Sequence, residues 1–305
     1  MTKPKVAVVQ AQSFLFETDR TIEKMWDLLA GIQKESPELV LFPEAFLPGY
    51  PRGLTFGAVV GSRSQEGREL YARYFNNAIA IGDARFEELQ KMAMQLRADL
   101  TVGIVEKEGK GGTLYCTILY FGSDGKLLGK HRKLKPTGSE RLIWGEGDGS
   151  TMPVMDNGFG IYGGLICWEN YMPLARMAMY QQGVQIYLAP TADCRDSWQV
   201  TLQHIATEGR CFVLGCNQLI TRDAYPEDIL QLVSDPSTIG CSGGSVIIAP
   251  GGRVLAGPVI NEEKILYAEL DLEEVTRGKY EFDVAGHYNR PDVFSFHVNP
   301  GSENQ

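Results

Sequence analysis

The chain has 305 residues, 44% of them hydrophobic and 22% charged, and carries a net charge of −9. This is the composition of an ordinary globule, long enough for one large α/β domain. The acidic balance argues against a general nucleic-acid binder or an anionic membrane surface as partner, and no apolar run approaches the roughly 20 residues of a membrane helix. The first residues run straight into a strand pattern without a signal-peptide pattern, so the cytoplasm is the expected compartment, with reduced thiols. The cysteines, at 116, 167, 194, 211, 216 and 241, form no C-x-x-C pair. The histidines at 131, 204, 287 and 297 lack metal-ligand spacing, so no metal site is expected.

In chain order, Lys5 to Val9 reads as a strand. Thr21 to Lys34 reads as an amphipathic helix, with Ile22, Met25, Leu28, Leu29 and Ile32 at helical spacing and Asp19 near its start. Glu38 to Phe42 is a second strand, stopped by Pro43, which cannot donate a ladder hydrogen bond. Residues 47–67, rich in Gly, Pro and Arg, read as a long functional loop. Helices are expected over 68–80 and 85–97, and strands over 101–105, 114–121 and 126–131. Gly122 to Gly125 is the turn of the last hairpin.

A short buried strand, Phe159 to Ile166, leads to Cys167 and a helix-like segment with Tyr171, Leu174, Met177 and Ala178 on one face. Val184–Ala189, Cys211–Leu219, Ser245–Ala249 and Lys264–Leu270 read as strands, the last two joined through Pro250-Gly251-Gly252. Asp196–Glu208 is a helix with Trp198, Leu202 and Ile205 on one face. Arg222–Thr238 is a second loop or lid, and 283–305 an irregular tail. Strands and helices alternate, but the two hairpins break a pure parallel pattern. The expectation is a mixed-sheet, layered α/β fold in a single domain spanning 1–305.

Glu44, Lys133 and Cys167 each fall at the end of a predicted strand. Strand ends of open α/β sheets converge on one crevice. There a carboxylate can take a thiol proton, a thiolate can attack, and an ammonium can stabilise the charge that develops. Nearby N–H groups and a helix dipole would favour the thiolate. Other readings stand beside this one. Cys167 could be a packed core thiol, or a Cys–His nucleophile with His131, His204 or His287 as partner. Gly145 to Gly149 is a poor phosphate loop, because Glu146 and Asp148 lie inside it.

Three motifs carry a resemblance to a known family. Phe42-Pro43-Glu44-Ala45-Phe46, Gly129 to Leu134, and Leu165-Ile166-Cys167-Trp168-Glu169-Asn170 resemble the Glu, Lys and Cys motifs of the nitrilase superfamily of carbon–nitrogen hydrolases. Cys-Trp-Glu is similar to the nitrilase branch rather than to its amidase relatives. The blocks at Gly49–Gly53, Glu140–Gly149, Ala189–Asp193 and Gly286–Asp292 resemble plant-type nitrilases and their bacterial relatives, so the likeness runs from about residue 5 to about 298. It implies a four-layer α-β-β-α sandwich. It also implies Cys167 as nucleophile, Glu44 as general base, Lys133 as stabilising cation and Glu140 as a second acid beside the Lys. Trp168, Tyr50 and Thr191 are implied as substrate contacts. The implied reaction is hydrolysis of an arylaliphatic or aliphatic nitrile to acid and ammonia, with some amide and no cofactor. An amidase or carbamoylase is the alternative. A homo-oligomer is implied, a dimer that stacks into helical assemblies.

Overall fold

The computed structural model describes residues 3–300. In the first half, strand β1 (Lys5–Gln10), helix α1 (Thr18–Glu35) and strand β2 (Leu39–Leu41) follow one another. A small hairpin, β3 (Ala58–Val59) and β4 (Ser62–Arg63), precedes α2 (Gln65–Asn77) and α3 (Ala84–Leu96). Strands β5 (Asp99–Lys107), β6 (Leu114–Phe121) and β7 (Leu127–Arg132) complete this half. The second half runs β8 (Met155–Asp156), β9 (Ile161–Gly164), α4 (Pro173–Gln181), β10 (Ile186–Thr191), α5 (Asp196–Gly209) and β11 (Phe212–Asn217). It ends with β12 (Leu219–Ile220), α6 (Glu227–Leu230), β13 (Cys241–Ile248), β14 (Val254–Ile260), β15 (Lys264–Glu269) and α7 (Glu273–Glu281).

These strands form two mixed sheets. One has the order β15-β1-β2-β5-β6-β7; the other runs β12-β13-β11-β10-β9-β8, with β14 paired to β13. Each sheet has three parallel strands at its centre, β1-β2-β5 in one and β9-β10-β11 in the other. Antiparallel strands flank both sets. Strand β15 leaves the second half and pairs with β1, Lys5 opposite Glu269, which ties the two halves together.

The period-two alternation of strand side chains sorts the core into layers. Val6 and Val8 of β1 face a central core shared with Ile186 and Leu188 of β10 and with Phe212 and Leu214 of β11. Ala7 and Val9 point the other way, onto Ile22, Met25 and Leu29 of α1 and Leu89 and Met92 of α3. Tyr187 and Ala189 of β10 face Ala178 and Met179 of α4 and Trp198, Leu202 and Ile205 of α5. Helix, sheet, sheet and helix are therefore stacked in that order, the four-layer α-β-β-α sandwich expected from the sequence.

Several elements differ from expectation. Helix α1 starts a turn early, at Thr18, and its N-cap is Glu17 without a side-chain cap bond. Asp19 lies in its first turn. Pro250 to Gly252 leads into β14, a strand absent from the sequence reading, and not directly into β15. The loop 47–67 contains the small hairpin and the start of α2, and the 222–238 segment contains α6. Residues 283–300 lack regular helix or strand; the rest of the expected tail, 301–305, lies outside the described residues.

Candidate active site

The topology brings the ends of strands from both sheets together. Strands β2 and β5 are parallel, and β6 runs antiparallel to both β5 and β7, so β7 points the same way as β2. Glu44 just past β2 and Lys133 just past β7 therefore lie at the same end of one sheet. Cys167 and Thr191 lie at the carboxyl ends of β9 and β10 in the other.

Close backbone approach builds each turn. Phe42 N–H donates to Thr101 O and Phe46 N–H to Gly103 O, so the segment is bonded to β5 at both ends while Pro43, Glu44 and Ala45 cross close over Gly103. A Cβ at Gly103 would stand 2.1 Å from Pro43 O and 2.7 Å from Glu44 Cα, so only glycine admits this approach. Likewise a Cβ at Gly164 would stand 1.8 Å from Leu188 O. Cys167 itself has φ of 51°, a left-handed conformation uncommon outside glycine, and opens a single turn of 3₁₀ helix, Cys167–Tyr171. Asn170 holds that turn. Its amide donates to Leu165 O at 3.0 Å and to Cys167 O at 2.8 Å, and its oxygen accepts from Tyr187 at 2.8 Å.

Glu44, Lys133, Glu140 and Cys167 form one buried cluster. Lys133 Nζ donates to Glu44 Oε1 and to Glu140 Oε2, each at 2.7 Å. Glu140 also accepts from Tyr50 Oη at 2.7 Å and from Thr137 N–H at 2.7 Å, the latter as a helix capping box. The Thr191 hydroxyl donates to Cys167 Sγ at 3.1 Å and accepts from Asp193 N–H at 3.0 Å. Thr191 is fully buried, against the thiol. Glu44 Oε2 is buried with no hydrogen-bond partner among the described residues.

One ammonium serves two carboxylates, which sets the protonation of the cluster. Burial raises the Glu44 pKa above its ordinary 4.5, and the negative charge of Glu140 adds to this; Lys133 and the adjacent Cys167 thiol pull the other way. Burial alone would lower Lys133, but Glu44, Cys167 and Glu140 hold it well above the usual ammonium value, so it is charged. Burial, then the Glu44 charge, push the Cys167 thiol far up, with Lys133 opposing. The sequence reading of a helix-favoured thiolate is thus corrected: a one-turn dipole cannot outweigh burial beside an acid. At rest Cys167 is a thiol next to a carboxylate.

A cavity opens on this cluster, lined by Tyr50, Arg52, Glu140, Cys167, Trp168 and Arg195 among others. Trp168 is 39% exposed; its ring N–H donates to Asp193 at 2.8 Å, and the Arg195 guanidinium lies 4.7 Å from its ring centre. Cys194 borders the same cavity. The neighbouring Cys241 and Ser242 hold the Cys194 thiol below its ordinary value against partial burial. Cys116, 3.7 Å from Glu44 Oε1, lies on the interior strand β6.

Sequence reasoning missed Cys116, Asn170 and the pairing of His131 with Glu169. It could have found the capping box at Thr137-x-x-Glu140. His131 is buried with both ring nitrogens engaged, one by Glu169 and one by Thr151 O. His204 lies exposed on α5, near Glu208. His131 has no ring nitrogen free to take the thiol proton, and neither His204 nor His287 lines the cavity that Cys167 lines, so none of the three forms a Cys–His pair there.

Known proteins resemble this chain closely. The family description "Carbon-nitrogen hydrolase" matches residues 5–280. A nitrilase of Bradyrhizobium diazoefficiens is 52% identical over 295 residues, covering 96% of this chain and 91% of that protein. A bifunctional nitrilase/nitrile hydratase of Nicotiana tabacum is 49% identical over 299 residues, covering 96% and 85%. Among solved structures, a carbon–nitrogen hydrolase of Helicobacter pylori superposes with a TM-score of 0.75 at 21% identity, covering 95% of this chain and 96% of that one, a likeness of fold.

Proposed function

The chain belongs to the carbon–nitrogen hydrolase family, and we propose on that footing that Cys167, Glu44 and Lys133 carry out nitrile hydrolysis in it. The protein is a nitrilase: it converts an organic nitrile to the carboxylic acid and ammonia. The observation that carries the residue roles is the Cys167 thiol on the cavity wall beside a carboxylate with an unpartnered buried oxygen.

Glu44 takes the thiol proton as Cys167 Sγ attacks the nitrile carbon. The proton passes to nitrogen, and a C–S bond replaces one C–N π bond in a covalent thioimidate. Because the resting thiol is neutral, proton removal and attack are coupled, and the raised Glu44 pKa makes that carboxylate a stronger base. Glu44 then activates a water, which adds to give a tetrahedral intermediate. Lys133 and the Trp168 N–H, in the first turn of its helix and so without an intrahelical acceptor, face the developing charge. Loss of ammonia leaves an acyl thioester, and a second water releases the acid and restores the thiol.

Glu140 holds Lys133 in place, and Tyr50 and Thr137 hold Glu140. Thr191 orients the thiol. Trp168 and Tyr50 contact the substrate. If the tetrahedral intermediate expels the thiol instead of ammonia, an amide is released, in keeping with the two activities named for the tobacco relative. Arylaliphatic and aliphatic nitriles are the substrate class, by likeness to plant-type sequences. We further place the protein in the cytoplasm as a homo-oligomer, with neither a membrane nor a nucleic acid as partner. Among the described residues no helix is long and apolar enough to cross a membrane, and apolar Leu174 on α4 is 68% exposed.

A panel of nitriles, each assayed beside its amide by ammonia release, tests the reading. Turnover of nitriles with acid as main product supports it. Turnover of amides alone would move the protein to the amidases.

A further inference from the structure

Glu169 follows the nucleophile by two residues, yet its carboxylate points away from the cavity and is buried. One oxygen, Oε2, accepts from Ile166 N–H at 2.7 Å, immediately before Cys167, and meets His131 Nε2 at 2.8 Å. The other, Oε1, accepts from Leu134 N–H, immediately after Lys133. His131 Nδ1 lies 2.6 Å from the Thr151 carbonyl. A carbonyl and a carboxylate only accept, so both ring nitrogens of His131 must donate and the ring is an imidazolium. Burial alone would lower the His131 pKa, but the charge and hydrogen bond of Glu169 and the Thr151 carbonyl hold it above 6.5.

We propose that Glu169, locked by the His131 imidazolium, is a positioning residue that clamps the turn carrying Cys167 to the segment carrying Lys133. The inference rests on the nitrilase reading. The two segments belong to different sheets: Lys133 extends β7 and Cys167 follows β9. Packing between sheets fixes their spacing less finely than hydrogen bonds do. Glu169 ties the residue before the nucleophile and the residue after the cation to one rigid carboxylate. It thereby fixes the thiol against the Lys133 ammonium and, through Lys133, against Glu44. Three donors converge on it, two of them backbone N–H groups, and only a carboxylate accepts all three. A glutamine would turn its NH₂ toward at least one backbone N–H. This gives a physical reason for an acid at this position of the Cys-Trp-Glu sequence, where it cannot touch substrate.

The test compares Glu169→Gln and His131→Gln with wild type, after thermal unfolding and circular dichroism have shown which variants fold. Misplacement of reacting groups by about 1 Å costs on the order of 10²-fold in rate. Glu169→Gln is therefore expected to lower kcat by about 10²-fold, with KM within about threefold, because the cavity wall stays in place. His131→Gln, which keeps one N–H toward Glu169, is expected to fall by roughly tenfold. Alkylation of Cys167 by iodoacetamide, followed on its own peptide so that Cys194 does not interfere, should slow in the same order. That readout needs no nitrile. Wild-type turnover thus judges the nitrilase reading, and the variant-to-wild-type ratio judges the clamp. A folded Glu169→Gln with kcat and Cys167 alkylation within about threefold of wild type would overturn the clamp. If Glu169→Gln does not fold, His131→Gln decides on the same two ratios; loss of fold in both variants would overturn the clamp as well, leaving the pair a role in stability alone.

Discussion

Two buried charge clusters start two residues apart, at His131 and Lys133, and end differently. In the His131–Glu169 cluster each oxygen has a donor, each ring nitrogen has an acceptor, and one cation meets one anion. In the Lys133 cluster one cation serves Glu44 and Glu140, and Glu44 Oε2 has no hydrogen-bond partner among the described residues. The first is saturated and does not line the cavity at Cys167. The second keeps an excess negative charge and an unused acceptor beside a thiol on a cavity wall. Burial makes both costly to disturb, but only the incomplete one has capacity left for a proton. Among the buried carboxylates of the described residues, Glu44 is the one with an oxygen lacking a hydrogen-bond partner, which sets it apart from Glu169 and Glu140.

Variants can break this contrast. The largest effect is expected at Lys133. Lys133→Met leaves two buried carboxylates uncompensated, which should lower stability by about 3–5 kcal/mol in denaturant unfolding and remove turnover with it. Unchanged stability would mean that the acids are solvated and the cluster is not closed. Glu44→Gln should preserve the fold and cut kcat/KM by roughly 10²–10⁴-fold, the usual worth of a general base. Retained turnover would remove Glu44 from the mechanism.

The same carboxyl sets the acid limb of the wild-type profile. Its raised pKa means that the base form is lost as pH falls through a value above 4.5, so kcat/KM should fall there; a limb at or below 4.5 would contradict the raised value. For stability the sign is the reverse of the usual carboxylate case. The folded state binds this proton more tightly than the unfolded chain, so Glu44 costs stability as pH rises from 4.5 through its folded pKa. The smallest effect is expected at Tyr50. Tyr50→Phe removes one of the three donors on Glu140 and should cost about 0.5–1.5 kcal/mol in kcat/KM, several-fold in rate. A loss as large as that of Glu44→Gln would give the Tyr50 hydroxyl a direct part in the chemistry.

Strands β1, β10 and β11 were readable in the sequence as short continuous apolar runs because both faces of each are buried, and α1 and α5 because each has one apolar face in a core. Strand β14 was not, since most of it is exposed, Pro258 interrupts it, and its pairing with β13 shifts register; it reads as an edge. Helix α7 buries only Val275, so it carries no apolar stripe. The face assigned around Tyr171 and Leu174 is rotated in the structure, where Ala175, Ala178 and Met179 are buried. The chain there passes from a 3₁₀ turn into α4, and three residues per turn shift the phase of the pattern that follows. Glu44, Lys133 and Cys167 were readable because strand ends are readable. The His131–Glu169 pair joins residues 38 apart on different sheets, and no local pattern announces it.

The central claim is that Cys167 forms the covalent intermediate. Mass spectrometry of protein quenched in acid during steady-state nitrile turnover tests it most directly. The account predicts an acyl or imidoyl adduct on the Cys167 peptide, absent in Cys167→Ala, which keeps the fold and releases no ammonia. An adduct on Cys194 or Cys116, or ammonia released by Cys167→Ala at near the wild-type rate, would contradict it.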